Sequence, residues 1–254
     1  MYSNQETRAV SYDSSSSEKI WQMIRFFVVT GMIFSISFFT INFQAYSSIL
    51  ASAFNPEAQA EAQDVLNSAT GAQSAIDPDL LLPVLEGEAF NKTSYGWLDF
   101  PIAPTDNRLI VPKLGKSVPM VEMSTENIEG ENWADLEEQI QDGLRKGVVH
   151  YPGTAVPGQT GNVFITGHSS YYPWDPGKFK DVFALLGQLE IGDEFMVYYD
   201  QRKYVYKINE KFEVYPDNVE VLQQPSDKKI ATLMTCTPVG TTLRRLIIRA
   251  EQIS

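Results

Sequence analysis

Apolar residues follow three different rhythms along this chain. From Phe26 to Tyr46 they run about 21 residues without a charge, rich in Phe, Ile and Val. As a helix, a run of that length crosses a hydrocarbon core of about 30 Å. From Ser47 to Lys92 the sequence thins into Ala, Gln and Glu, broken by Pro56, Gly71, Pro78 and Pro83, and reads as a stalk. From Tyr95 onward, short β-branched and aromatic runs alternate with Gly- and Pro-containing turns. Strands are expected at Leu109–Val111, Val118–Val121, from Asn162 to His168, at Glu194–Tyr199, Tyr204–Ile208, Glu210–Tyr215, Lys229–Thr235 and Arg245–Ala250. Trp133, Leu136, Ile140 and Leu144 recur at helical spacing, and Phe179, Val182, Phe183 and Leu186 repeat that spacing over a shorter stretch. Many short strands with two short helices predict a mainly β architecture, closed or sandwiched.

The flanks give the apolar run a direction. Arg8, Lys19 and Arg25 precede it in a polar, Ser-rich head, and positive charge on that side predicts the N-terminus inside and the remainder outside. A cleaved signal peptide is the competing reading, because Ala51-Ser52-Ala53 has the small-x-small form of a cleavage site. Both readings put the C-terminal part outside the cytoplasm. The expected organisation is a cytoplasmic tail at 1–25, a transmembrane anchor at 26–46, an extracytoplasmic linker at 47–94 and a globular domain at 95–254.

Composition narrows the partners. A formal net charge of −12 over 254 residues leaves no basic stripe to neutralise phosphates, so nucleic acid is excluded as a partner. Hydrophobic residues at 43% suffice for a packed core. A single cysteine, Cys236, rules out an internal disulfide.

That cysteine sits where the run Thr232-Leu-Met-Thr-Cys236 stops at Pro238 and Gly240, the end of a strand entering a turn. Nine residues on, Arg245 opens a second apolar run that can fold back beside the first. Upstream, Asn162-Val-Phe-Ile-Thr-Gly-His168 is another strand, ending on a histidine. Thiol, imidazole and guanidinium at strand ends are the parts of a cysteine acyl-transfer site. The second histidine, His150, lies at a Gly/Pro-rich turn and reads as scaffold. Arg244 and Arg245 point to opposite sheet faces. Arg244 shares parity with Leu246, Ile248 and Ala250, the core side, which leaves Arg245 facing outward.

The Thr-Leu-x-Thr-Cys run at 232–236, the Gly167-His168 pair and Arg245 within Arg-Leu-Ile-Ile-Arg-Ala resemble the sortases, cysteine transpeptidases of bacterial cell surfaces. Arg108-Leu-Ile-Val-Pro-Lys-Leu-Gly115 and the segment His150–Asn162 add to the similarity, which covers roughly residues 95 to 254. The resemblance implies a closed sortase-type β-barrel of about eight strands with two short helices. It implies that Cys236 attacks an LPxTG-like sorting signal after its threonine, that His168 is the acid and base, and that Arg245 bonds substrate carbonyls or the oxyanion. Thr235, through its backbone or its hydroxyl, becomes a candidate helper at the oxyanion. Val163, Ile165, Tyr172 and Trp174 are candidates to line a groove for the peptide. The implied partners are surface proteins bearing sorting signals, an amine from the cell wall or a pilin, and the membrane.

No cofactor is expected. Calcium serves some sortases, but Asp193, Glu194, Glu213, Asp217 and Glu220 lack the spacing of a ligand loop. Two alternatives stay open: a non-catalytic peptide-binding module on the same fold, and a cysteine hydrolase of surface peptides. A papain-like order is disfavoured because His168 precedes Cys236. Cys-Thr-Pro-x-Gly points to the pilus-building branch. The chain ends at Ser254, though, and Ile76-Asp-Pro-Asp-Leu80 lacks the aromatic of that branch's lid, which favours a general anchoring or an uncharacterised branch.

Overall fold

The computed structural model describes residues 14–54, 104–123 and 133–254. The head at 1–13, most of the expected stalk, the Ile76–Leu80 segment and the expected domain start near Tyr95 lie outside the described residues.

Two units emerge. The first ends at Ile41 and contains helix α1, Ser14–Ile41. Its segment Glu18–Ile41, 24 residues of mean hydropathy 1.9, is long and apolar enough to cross a membrane. Its apolar side chains are exposed all round, Phe27 and Phe34 among them. The second unit, Asn42–Ser254, begins with helix α2, Phe43–Phe54. The uninterrupted apolar run at 26–46 therefore does not form one element. It divides at Asn42, and its last residues belong to the barrel's unit rather than to α1.

Eight strands close the barrel: β1 Arg108–Val111, β2 Lys116–Glu122, β3 Val148–His150, β4 Gly161–Thr166, β5 Glu194–Tyr199, β6 Arg202–Val214, β7 Lys229–Thr237 and β8 Arg244–Gln252. Around the barrel they run β1-β2-β3-β4-β7-β8-β6-β5 and return to β1. All pairs are antiparallel except β2–β3 and β4–β7. Helix α3, Trp133–Lys146, links β2 to β3.

Strand alternation divides each strand between two environments. One set of side chains, including Leu109, Val118, Val163, Ile165, Phe195, Val197, Leu233, Leu246, Ile248 and Ala250, fills the interior. Removing one such aliphatic side chain would cost about 2–5 kcal/mol. The opposite set forms two outer clusters. Leu136, Ile140 and Leu144 of α3 pack on Val149, as their spacing predicts. Phe164, Ile247 and Val221 form the second, with Met234 against them.

The strand count matches the expectation of about eight because two differences cancel: two expected strands are one, and β3 was not expected. Tyr204–Ile208 and Glu210–Tyr215 are one strand, β6, whose register with β8 shifts between Ile208 and Glu210. A β-bulge there breaks the alternation without ending the strand. β3 is only three residues, too short to show a period, and its His150 lies at the strand end rather than in a turn. The segment from Phe179 is a run of turns passing into a 3-10 helix at Leu186–Gln188. Its apolar residues Val182, Phe183 and Leu186 still reach the core as that spacing requires.

Candidate active site

The parallel β4–β7 pair sets the geometry. Thr166 lies opposite Met234, and the ladder extends one step further, where Gly167 N–H donates to the Met234 carbonyl at 3.2 Å. The Thr235 hydroxyl then donates to the Gly167 carbonyl at 2.8 Å. Gly167 is thus held on both sides by β7, and the next residue, His168, comes level with Cys236. Gly167 cannot carry a side chain here: a Cβ would meet the Phe183 ring at 2.6 Å. The Gly-His pair therefore has a packing reason on its glycine side.

Across the antiparallel β7–β8 pair, Cys236 lies directly opposite Arg245. Both share parity with outer-cluster residues, Cys236 with Met234 and Arg245 with Ile247, while Leu246, Ile248 and Ala250 point inward. The face assigned to Arg245 from parity agrees with this arrangement. Its Nη1 donates to the carbonyls of Thr242 at 3.1 Å and Arg244 at 3.3 Å. Among the described residues it has no carboxylate partner within ion-pairing distance. Arg244 turns elsewhere and stacks over the Tyr215 ring at 4.7 Å. Cys236 is a free, half-buried thiol.

His168 is largely enclosed. Its Nε2 is buried without a hydrogen-bond partner, and the ring stacks on Tyr171 with centroids 4.4 Å apart. Burial pushes the imidazole down to about 4, against a smaller upward pull from Asp175. The ring is consequently neutral at neutral pH.

The loop after His168 is pinned from two directions. Asp175 Oδ2 accepts from Arg145 Nε at the end of α3, 2.9 Å away, and Oδ1 accepts from the Gly177 N–H at 2.8 Å. The Gly177 bond, foremost, and the Arg145 guanidinium hold this carboxyl below its usual range. Ser170 Oγ accepts from the Gly240 N–H at 3.0 Å, tying this loop to the one that follows Cys236.

Helix α2 braces the same two loops. Tyr46 donates its hydroxyl to the Val239 carbonyl at 3.2 Å, and Ser48 Oγ donates to Asp181 at 2.7 Å. Gln188 Nε2 reaches Ser52 Oγ at 2.8 Å, and Ile49 packs on the barrel core. Asn42 lies against Gly240, which has a φ of +86° and no room for a Cβ.

Two of the groove candidates, and the hydroxyl of the oxyanion candidate Thr235, need correction. Val163 and Ile165 are buried in the barrel interior at 1% and 0% exposure, because their parity on β4 faces inward, so they line no groove. Thr235 also faces inward at 3% exposure, with its hydroxyl committed to Gly167. That hydroxyl supports the position of His168 instead of reaching an oxyanion. Tyr172 and Trp174 are exposed and stacked on one another, 4.9 Å between centroids. His150 is a scaffold residue, bonded to Glu122 and the Ala155 carbonyl, each at 2.9 Å. Of the acids weighed for calcium, Asp193 pairs with Lys113 at 2.8 Å.

Sequence reading missed Arg145, Asp175, Ser170 and the α2 brace. Asp175 alone carried a local signal, the Asp-Pro-Gly turn. The others act across 30 to 193 residues of chain and leave no mark in spacing.

Comparison with known proteins gives one consistent family. The sortase domain profile matches residues 109–253. Sortase D of Bacillus subtilis (strain 168) is 27% identical over 149 residues, 58% of this chain and 63% of the relative. The match thus spans less than two thirds of that curated relative's length. Among solved structures, a Clostridium perfringens Sortase D5 transpeptidase is 29% identical, covering 59% of this chain and 79% of that one with a TM-score of 0.46. A pilus-related Sortase C of Group B Streptococcus is 26% identical, covering 65% and 77% with a TM-score of 0.47. The profile takes in more than half of the chain, including every strand end that carries His168, Cys236 and Arg245: the chain belongs to the sortase family.

Proposed function

We propose that this protein is a membrane-anchored cysteine transpeptidase that cleaves an LPxTG-like sorting signal after its threonine and passes the acyl group to a cell-wall or pilin amine. The observation that carries the reading is the register: β7 lies between β4 and β8, so His168 and Arg245 flank Cys236 from its two neighbouring strands. The anchor is α1, with the barrel on the extracytoplasmic side.

The neutral imidazole fits the chemistry. As Cys236 Sγ bonds to the scissile carbonyl carbon, its proton passes to His168. The carbonyl oxygen becomes an oxyanion that the Arg245 guanidinium stabilises, an interaction strongest when that charge is fully developed. Collapse breaks the C–N bond, and the imidazolium returns its proton to the departing amine, leaving a thioacyl enzyme. An incoming amine then gives a proton to His168 as it attacks. Collapse of the second intermediate expels the Cys236 thiolate, which recovers the proton. No cofactor enters the cycle.

The test uses the full chain in detergent with a sorting-signal peptide and an amine. Mass spectrometry should find a thioacyl adduct on Cys236 and a ligated product. If neither forms with several signal variants, the peptide-binding-module reading replaces this one.

A further inference from the structure

Helix α2 has two unlike faces. Its inner face is occupied by the barrel, through Tyr46, Ser48, Ile49 and Ser52. Its outer face carries Phe43, Leu50 and Phe54, exposed at 70%, 60% and 80%. These three are seven and eleven positions apart, which at 100° per residue sets all of them within about 40° of one another around the axis. No residue from Phe43 to Phe54 is charged.

Solvent is a poor environment for such a stripe, and what precedes it in the chain names its occupant. Only Asn42 separates α2 from Glu18–Ile41, the segment long and apolar enough to span a bilayer. A helix that carries a folded barrel on one side cannot continue into hydrocarbon. One that begins a residue after a span cannot leave the surface either. The remaining position is the interface, where a helix lies in the plane with its apolar side among headgroups and upper acyl chains.

We infer that α2 is an interfacial helix, with Phe43, Leu50 and Phe54 seated in the outer leaflet of the lipid bilayer. Its inner face holds the loops that follow Cys236 and His168, so the same twelve residues fix the active site against the membrane surface. The inference rests on α1 being the membrane anchor, and the experiment separates the two claims.

In the Cys236→Ala background, single nitroxide labels are placed on Leu50→Cys, Phe54→Cys, Ile33→Cys and Asp227→Cys in the full chain. Each protein is reconstituted in phosphatidylcholine–phosphatidylglycerol vesicles, and collision with an aqueous nickel complex is compared with collision with oxygen. All four positions are exposed, so the labels leave the packing intact. Labels at 50 and 54 are expected to meet nickel several-fold less often than the label at 227, approaching the one at 33. Labels at 50 and 54 as open to nickel as 227, with 33 protected, would overturn the interfacial helix and leave the anchor standing. An open label at 33 would remove the anchor and this inference with it. Dipolar broadening between labels at 50 would show a second copy covering the stripe, and would overturn the lipid assignment.

Discussion

The hydroxyl of Thr235 donates to the carbonyl of Gly167 at 2.8 Å, joining the residue before the thiol to the residue before the imidazole. The side chains of Cys236 and His168 are therefore positioned by a bond neither of them makes. Thr235→Val keeps the shape and removes the donor, leaving a buried carbonyl short of a partner. It should cost about 1–3 kcal/mol in stability and lower kcat more than it raises KM. Thr235→Ser should recover most of the loss. Equal damage from Val and Ser, confined to the unfolding midpoint, would reduce Thr235 to a packing residue.

Arg245 and its neighbour provide an internal control. Arg245→Ala should reduce kcat by about 10²–10³-fold, the usual effect of losing one oxyanion donor. Arg244→Ala, which removes a stack on Tyr215, should change it little. Steady-state acyl transfer to a fixed amine measures both. A larger loss from Arg244 than from Arg245 would reverse the parity argument.

The lowered His168 pKa has a definite sign in stability. The folded value is about 4 against 6.5 for the free side chain, so between those pH values the unfolded chain binds a proton that the folded chain refuses. Stability should fall as pH drops from about 6.5 toward 4, by an amount on the order of 2–3 kcal/mol, and this contribution should level off below that. His168→Gln lacks the titration. Urea midpoints of parent and variant should therefore converge or cross as pH falls, and parallel curves would show that the imidazole is not desolvated.

Gly240 reports on the α2 brace. Gly240→Ala places a Cβ at 2.9 Å from the Asn42 side chain at a φ of +86°. That is a backbone cost of about 1–3 kcal/mol before the clash. The loop after Cys236 should shift, slowing alkylation of the thiol by iodoacetamide, while Tyr46→Phe slows it less. Unchanged alkylation in both variants would detach the helix from the site.

How much of this could be read beforehand depends on the range of each interaction. The faces of Arg244 and Arg245 were legible because strand parity is a property of neighbouring residues. Leu136, Ile140 and Leu144 were legible for the same reason at helical spacing. Val163 and Ile165 were misplaced because a strand buried on both faces shows no alternation to say which side is the interior, and β4 is buried at its first five residues. Asn42 falls inside the uncharged run, because apolarity alone does not mark where one helix stops and another begins. Its role against Gly240 belongs to the folded state only.

The hairpin between β5 and β6 turns on Asp200 and Gln201, with φ of 48° and 59°. A cut there would put the imidazole on one polypeptide and the thiol and guanidinium on the other. Since β5–β6 and β4–β7 both cross that cut, reassembly of the halves would bring His168 back beside Cys236 and Arg245 as it closes the barrel. Neither half alone would hold the imidazole together with the thiol and guanidinium, so the complete trio would exist only where the two halves meet.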